Sequence, residues 1–371
     1  QERNQNMRRV KLPALLLALT LLFSLAACKP AAADPSGAPS DPAAPSAEPT
    51  QAPSEEPSAQ PSDTPSEDPF DGLIRVGVLN GPTGVGAAKL LNHIDNNDTS
   101  YGSFRYKIYT DNSELVADLT KGEIDIATVA SNVAVNLYNK TDGGVKIIAA
   151  GTLGVLHILE SGGKTEINDL ADLEGRTIYA AGQGANPEYI LRYLLQENGL
   201  EMGKDVEVVF ADASEISAKL LSGEIECAML PVPAATAAIM KSEGSVRQAI
   251  DLTEAWDSLR NGSQLIMTAV VARAEYLEEY PALAASFLDA YKDSISYVNN
   301  NVDEAAELVA ELGLAPSAAI AKAAIPQCHL AFLERADMAA SISSYYSVLY
   351  SIDPAAVGGS LPDGGIYWWI E

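Results

Sequence analysis

The sequence predicts an α/β protein built from two similar Rossmann-like lobes, with a C-terminal helical extension on lobe one. Three observations carry this prediction. First, one phrase occurs twice, as "DNSELVADLTKGEIDIATVASNVA" from Asp111 and as "DASEISAKLLSGEIECAMLPVPAA" from Asp212. A single offset, without a gap, pairs Asp111 with Asp212, Ser113 with Ser214, Glu114 with Glu215, Gly122 with Gly223 and Ala127 with Ala228. Second, short continuous apolar runs alternate with helix-patterned stretches around each copy, the mark of a parallel sheet covered by helices. Third, the roughly 300 residues after Asp71 exceed what one compact core usually holds.

In the first copy, "LIRVGVLNGPTGVGAAKLLNHI" from Leu73 reads as strand, Gly-rich turn and helix. "FRYKIYT" is a strand of β-branched and aromatic residues. Asp111 and Glu114 have capping-box spacing at the next helix start, and Gly122 is a helix stop. "EIDIATV" is a short buried strand, and a polar turn then opens a third helix. The second copy repeats the order with "RTIYAAGQGANPEYILRYLLQENG", "VEVVFA", Asp212 with Glu215, Gly223 and "EIECAML". Each copy is followed by a further strand, "GVKIIAAGTLGVLHILE" in the first and "SVRQAIDL" in the second. The chain is expected to cross between lobes near Gly154–Glu160 and to return through "SQLIMTAVVAR", Ser263–Arg273. Ala274–Glu371 reads as mostly helical and packs on the first lobe. Lobe one is therefore expected over 71–155 and 271–371, and lobe two over 156–270.

The segment ahead of the lobes differs in kind. From Met7, "MRRVKLPALLLALTLLFSLAACKP" has a basic start, an apolar run and a small-residue end, the layout of a secretory signal peptide over 1–28. Gln1–Asn6 precede what reads as the natural start. Residues 29–70 are Pro, Ala, Ser, Asp and Glu with little else apolar, a tether composition that cannot offset its ordering entropy by burial. The whole chain has 371 residues, a net charge of −26 and 47% hydrophobic residues. The acidity argues against a nucleic-acid partner, and the apolar content suffices for a sizeable core. Its three cysteines and three histidines have no metal-ligand spacing, so no metal, cofactor or catalytic group is expected, and Cys227 and Cys328 read as buried small hydrophobes.

In open α/β sheets, ligands bind beyond the carboxyl ends of the strands. Two facing lobes put two such edges across one cleft. The candidate solute contacts are Asn80, Gly81, Thr83 and Gly84, then Ser131 and Asn132, then Thr152 and Leu153, all in lobe one. In lobe two they are Gln183, Gly184, Asn186, Glu188 and Tyr189, then Pro231 and Val232, with Trp256 added by the loop "DLTEAWDSLRNGSQ". Each also has a purely structural reading. The glycines suit a tight turn; Asn186-Pro187-Glu188 fits N-cap, N1 and N2 of a helix, and Ser131 fits a cap. Tyr189 and Trp256 suit a core, and His157 reads as a buried structural histidine with a pocket role as the alternative. These loops hold almost no Lys or Arg, which favours a small polar molecule, such as a planar heterocycle, over a fully charged oxyanion.

The run "LAAC" at Leu25–Cys28, the acidic Pro/Ser tether, "VGVLNGPTG", the "GEID" strand, "GQGANPEY" and the ending "LPDGGIYWW" together resemble solute-binding lipoproteins of ABC transporters. The resemblance runs from about Leu73 to the C-terminus. It is to the type II periplasmic-binding-protein-like fold, in the nitrate/sulfonate/taurine and thiamine-pyrimidine-precursor branch. It implies a clam-shell receptor, lipidated at Cys28 and anchored on the extracytoplasmic face of the cell membrane, that closes on a small solute and delivers it to permease subunits. Acyl chains at about 0.8 kcal/mol per buried CH₂ make such anchoring durable. Two alternatives remain at this level: an enzyme on the same fold, like menaquinone-pathway enzymes or the yeast pyrimidine synthase, and a ligand-sensing surface lipoprotein.

Overall fold

The computed structural model describes residues 72–370. The expected signal peptide, the tether and Cys28 lie outside them. Two sheets organise the molecule. The first copy of the repeat supplies β1 (Leu73–Leu79), α1 (Pro82–Asp95), β2 (Ser103–Tyr109), α2 (Asn112–Lys121), β3 (Ile126–Ala130) and α3 (Ser131–Lys140), followed by β4 (Val145–Thr152). The chain then enters the second sheet as β5 (Leu156–Ser161). There it builds β6 (Thr177–Ala180), α4 (Asn186–Glu197), β7 (Glu207–Phe210), α5 (Ala213–Ser222), β8 (Cys227–Pro231), α6 (Ala234–Lys241), β9 (Val246–Asp251) and α7 (Leu252–Ser258). It returns as β10 (Thr268–Arg273) and ends in α8 (Ala274–Glu279), α9 (Pro281–Asn300), α10 (Val302–Glu311), α11 (Ala318–Ala324), β11 (Leu330–Leu333) and α12 (Arg335–Ile352).

The two sheets have matching orders, β2-β1-β3-β10-β4-β11 and β7-β6-β8-β5-β9. Within each copy the three repeat strands pair in parallel. The expectation of a parallel sheet holds for these repeat strands and not for the crossing strands. β10 runs antiparallel to β3 and β4, and β5 runs antiparallel to β8 and β9. The cause is the crossing itself. A chain that leaves one sheet at its carboxyl edge enters the other at the same edge, and must run down it against the parallel strands. For the same reason "GVKIIAAGTLGVLHILE" is two strands, one in each sheet, broken at residues 153–155.

Local chemistry explains the repeated parts. α2 and α5 both end on glycine in the left-handed region, Gly122 at φ 77° and Gly223 at φ 75°, where a side chain would be strained. Every residue of β3 is buried, as its unbroken apolar run requires. β2 is an edge strand and exposes Ser103, Arg105 and Lys107 in alternation, charges that suit an unpaired edge. The capping boxes form only in part. The Asp111 carboxylate accepts from the backbone N–H groups of Ser113 and Glu114, but Glu114 turns away to Lys107, and Asp212 makes no side-chain cap at all.

At the end of lobe one far from the cleft, the fully buried Asp125 accepts from Arg75 Nε at 2.8 Å and from Arg273 Nη2 at 2.9 Å. These bonds tie β1, β3 and β10 together. Cys227 and Cys328 are both buried, and desolvation pushes both thiols up to about 12. The C-terminal helices pack mainly on lobe one, with α9 lying along α1, but α12 also touches α4, and α11 touches α6, in lobe two. Among the described residues no helix is long and apolar enough to cross a membrane.

Candidate functional site

The carboxyl edges of the two sheets face each other across a cleft of about 930 Å³. Lobe one contributes the β1–α1 turn (Asn80, Gly81, Pro82) and Thr110 at the end of β2. Lobe two contributes Ser214 and Ser217 on α5, the end of β8 with Pro231, Val232 and Pro233, and the first face of α6. Ala310 and residues 313–316, between α10 and α11, form a further wall. Alanine, proline and leucine dominate this lining. Its polar groups are amide and hydroxyl, and its one charged side chain is the exposed Lys241. A volume of this size, mostly apolar with a few polar groups, is typical of small-molecule sites. Another groove, of about 610 Å³ beside Arg75, Arg105 and Lys107, touches lobe one alone. It lies off the carboxyl edges where the fold collects ligands.

Four of the residues expected from sequence line the cleft: Asn80, Gly81, Pro231 and Val232. The others have different surroundings. Thr83 is buried in the first turn of α1, and Gly84 packs so closely that an added Cβ would lie 2.6 Å from Leu314 Cδ2 and 3.3 Å from the Leu79 carbonyl. The close approach of Leu314 is thus one reason for a glycine there. Gln183 and Gly184 are exposed in the β6–α4 turn. Glu188 is held within its own helix start, accepting from the Gly184 N–H at 2.9 Å and from Arg192 Nη2 at 2.7 Å, while Tyr189 is half-buried against the core. Trp256 is fully buried, with its ring 4.8 Å from that of Tyr193 and 5.7 Å from that of Tyr345.

Ser131, Asn132 and Asn186 form a group of their own, completely buried where the two lobes meet. Neither Ser131 nor Asn186 is the cap its sequence context suggests. The N-cap positions belong to Ala130 and Ala185, and each polar side chain sits one residue inside its helix. Asn186 Nδ2 donates to Ser131 Oγ at 3.0 Å and to the Met267 carbonyl at 2.8 Å. Its backbone N–H donates to Asn132 Oδ1 at 3.1 Å, and its Oδ1 accepts from the Tyr345 hydroxyl at 3.2 Å. Asn132 Nδ2 donates to the Gly184 carbonyl at 3.4 Å, and Tyr346 donates to the Ser131 carbonyl at 2.6 Å. Burial pushes both tyrosine hydroxyls upward, so they remain protonated donors.

The outgoing crossing carries the remaining expected residues. Thr152 is buried and its Oγ1 has no hydrogen-bond partner, while Leu153 is half-buried and donates its N–H to the His329 carbonyl. His157 is the second residue of β5, fully buried, with Nδ1 3.6 Å from Asp251 Oδ2. Desolvation holds its imidazole below the usual value, with the Asp251 carboxylate partly opposing. Sequence reasoning missed Thr110, Ser214 and Ser217. The strand-end rule that named the other turns applies equally to β2 and β7, and would have found Thr110 and Ser214.

The NMT1/THI5-like family profile matches residues 103–305, more than half of the chain. The chain belongs to the NMT1/THI5-like family. No curated protein matches its sequence. A crystal structure described as an ABC transporter from Parabacteroides distasonis is 27% identical, over 81% of this chain and 100% of that one, with a TM-score of 0.67. The periplasmic aliphatic sulphonate-binding protein SsuA from Escherichia coli is 16% identical, over 80% and 92% of the two chains, with a TM-score of 0.64. A Candida albicans protein described as having the generic periplasmic binding protein fold is 15% identical, over 79% and 93%, with a TM-score of 0.52. This NMT1/THI5-like chain therefore has the periplasmic-binding-protein fold that the family resemblance implied.

Proposed function

We propose that this protein is the extracytoplasmic solute-binding component of an ABC importer. It closes its two lobes on a small polar organic solute of the sulfonate-, nitrate- or pyrimidine-like class and hands it to a membrane permease. The observation that carries this is the 930 Å³ cleft, walled by the strand ends of both repeats rather than by one. Two lobes around a ligand form a hinge-closing pair, and a solute that binds the closed form better shifts the population toward it. Similarity to an ABC transporter structure and to a sulphonate-binding protein supports the same reading.

The lining favours one end of that range of solutes. Asn80, Thr110, Ser214 and Ser217 offer hydroxyl and amide groups between apolar walls, while Lys241 stands at the exposed rim. A planar heterocycle with neutral polar substituents fits better than a bare oxyanion. The reading is binding and delivery without turnover. Cys28, by its "LAAC" context, is the lipid attachment point that keeps the receptor beside its permease at high effective concentration.

A thermal-shift screen of sulfonates, pyrimidines, flavins and amino acids tests the function. A true ligand at a hundredfold excess over Kd stabilises the folded chain by about 2.7 kcal/mol. Absence of any shift across such a panel would count against a receptor. Replacing Cys28→Ala tests the anchor separately: the variant is expected in the soluble fraction, and continued membrane retention would argue against lipidation.

A further inference from the structure

The geometry points to Asn186 as a closure latch rather than a solute contact: a buried side chain that binds both lobes and the C-terminal helix at once, and so holds one flank of the clam-shell shut without solute. The inference rests on the two-lobe receptor reading, and it assigns Asn186 a positioning role within it.

Asn186 belongs to lobe two, as the first residue of α4. Its partners belong elsewhere. Ser131 and Asn132 begin α3 of lobe one, Met267 ends the returning crossing, and Tyr345 lies on α12. Both amide hydrogens of Asn186 are used, its carbonyl oxygen accepts one bond, and its backbone N–H donates a fourth. An Asn amide has two donors and one acceptor oxygen, so little capacity is left for a solute atom. The partners are satisfied in turn: Ser131 Oγ donates onward to the Ile266 carbonyl, and the Met267 carbonyl also accepts from the Ser131 N–H at 3.0 Å.

α12 makes this a latch rather than an isolated contact. It is fixed to lobe one through Tyr346 and Ser131, and its end region reaches lobe two again where Asp353 lies 3.7 Å from Arg192. Gln264, on the returning crossing, donates to Ser341 of α12 at 2.9 Å. Moving α4 away from α3 would break the Asn186 bonds to Ser131 and Asn132 together. A buried network with every member satisfied is an all-or-none element of this kind, because a half-open state leaves unpaired polar groups in a dry site. Among the described residues, the opposite flank, between α1 and the α5–α6 pair, has no comparable node; it carries the 930 Å³ cleft, so solute enters and leaves on that side.

The test needs no solute. Spin labels on Ser222→Cys of α5 and Glu307→Cys of α10, both exposed, report the separation of the lobes. A Cys28→Ser background leaves only these thiols accessible, since Cys227 and Cys328 are buried. The unmodified latch is expected to give a predominantly short distance distribution. Asn186→Ala and Asn132→Ala are each expected to move the majority population to longer distances, with far-ultraviolet circular dichroism unchanged. Tyr345→Phe removes one hydroxyl while keeping the ring against Trp256, and is expected to give a smaller shift in the same direction. It serves as the test should Asn186→Ala fail to fold. A distribution identical to the parent's in the folded variants overturns the latch. It would leave the receptor reading standing, because that reading is judged by ligand-induced stabilisation instead.

Discussion

Along one flank of the cleft, α3 of lobe one meets α4 of lobe two through buried amides and hydroxyls, each paired with a protein partner. Along the other, the α1 turn faces α5 and α6 across alanine, proline and leucine, and polar groups are few and near solvent. Both flanks are made from the same kind of part, a strand end followed by a helix start. The difference is in what reaches them from far along the chain. α12 delivers Tyr345 and Tyr346 to the first, whereas the α10–α11 loop delivers Leu314 and Pro316 to the second. One flank is thereby built to hold, and the other to accommodate.

That contrast can be broken on the holding side with the largest effect. Asn186→Leu is close in size but removes both amide hydrogens and the acceptor for Tyr345, and is expected to cost about 2–4 kcal/mol. Urea melts with an unchanged slope and a lower midpoint would confirm it; a midpoint within error of the parent's would not fit. On the accommodating side, Gly84→Val drives a side chain toward Leu314 and the Leu79 carbonyl. A cost of about 1–3 kcal/mol is expected from this overpacking, together with weaker binding of any compound that stabilises the parent, as read by calorimetry.

The outgoing crossing into β5 supplies a third probe. Burial keeps the His157 imidazole below its ordinary value of 6.5, so the unfolded chain takes up this proton before the folded one does. Stability must then fall as pH drops below about 6.5. His157→Gln is expected to flatten the loss between pH 6.5 and 5 in melts run across that range, and an unchanged pH slope would count against a neutral buried imidazole. The smallest effect is expected at the rim. Lys241 is exposed and, among the described residues, makes no ion pair, so Lys241→Met should alter stability by less than about 0.5 kcal/mol. A neutral solute would keep its affinity in that variant at any salt concentration, whereas an anionic one would lose affinity most at low salt.

Much of this was legible in the sequence because the repeat is local. The strand runs, the glycine stops at Gly122 and Gly223 and the turn residues Asn80, Gly81, Pro231 and Val232 all follow from neighbours a few positions away. Strand direction at the crossings was harder to read, since it depends on which sheet the chain is entering. The separate fates of Asn186 and Asn80 were also hidden. Both stand at helix starts, and what distinguishes them is partners far along the chain: Ser131, Asn132, Met267 and Tyr345 surround Asn186. The third wall of the cleft, residues 313–316, has no signal in its own composition that would place it there.

Hydrogen exchange, measured with and without a compound that raises the melting temperature, tests the central claim most directly. If a solute is held between the lobes, exchange should slow together in residues 80–85, 213–217, 231–238 and 313–316. Protection confined to a single lobe, with the facing segments unchanged, would contradict it.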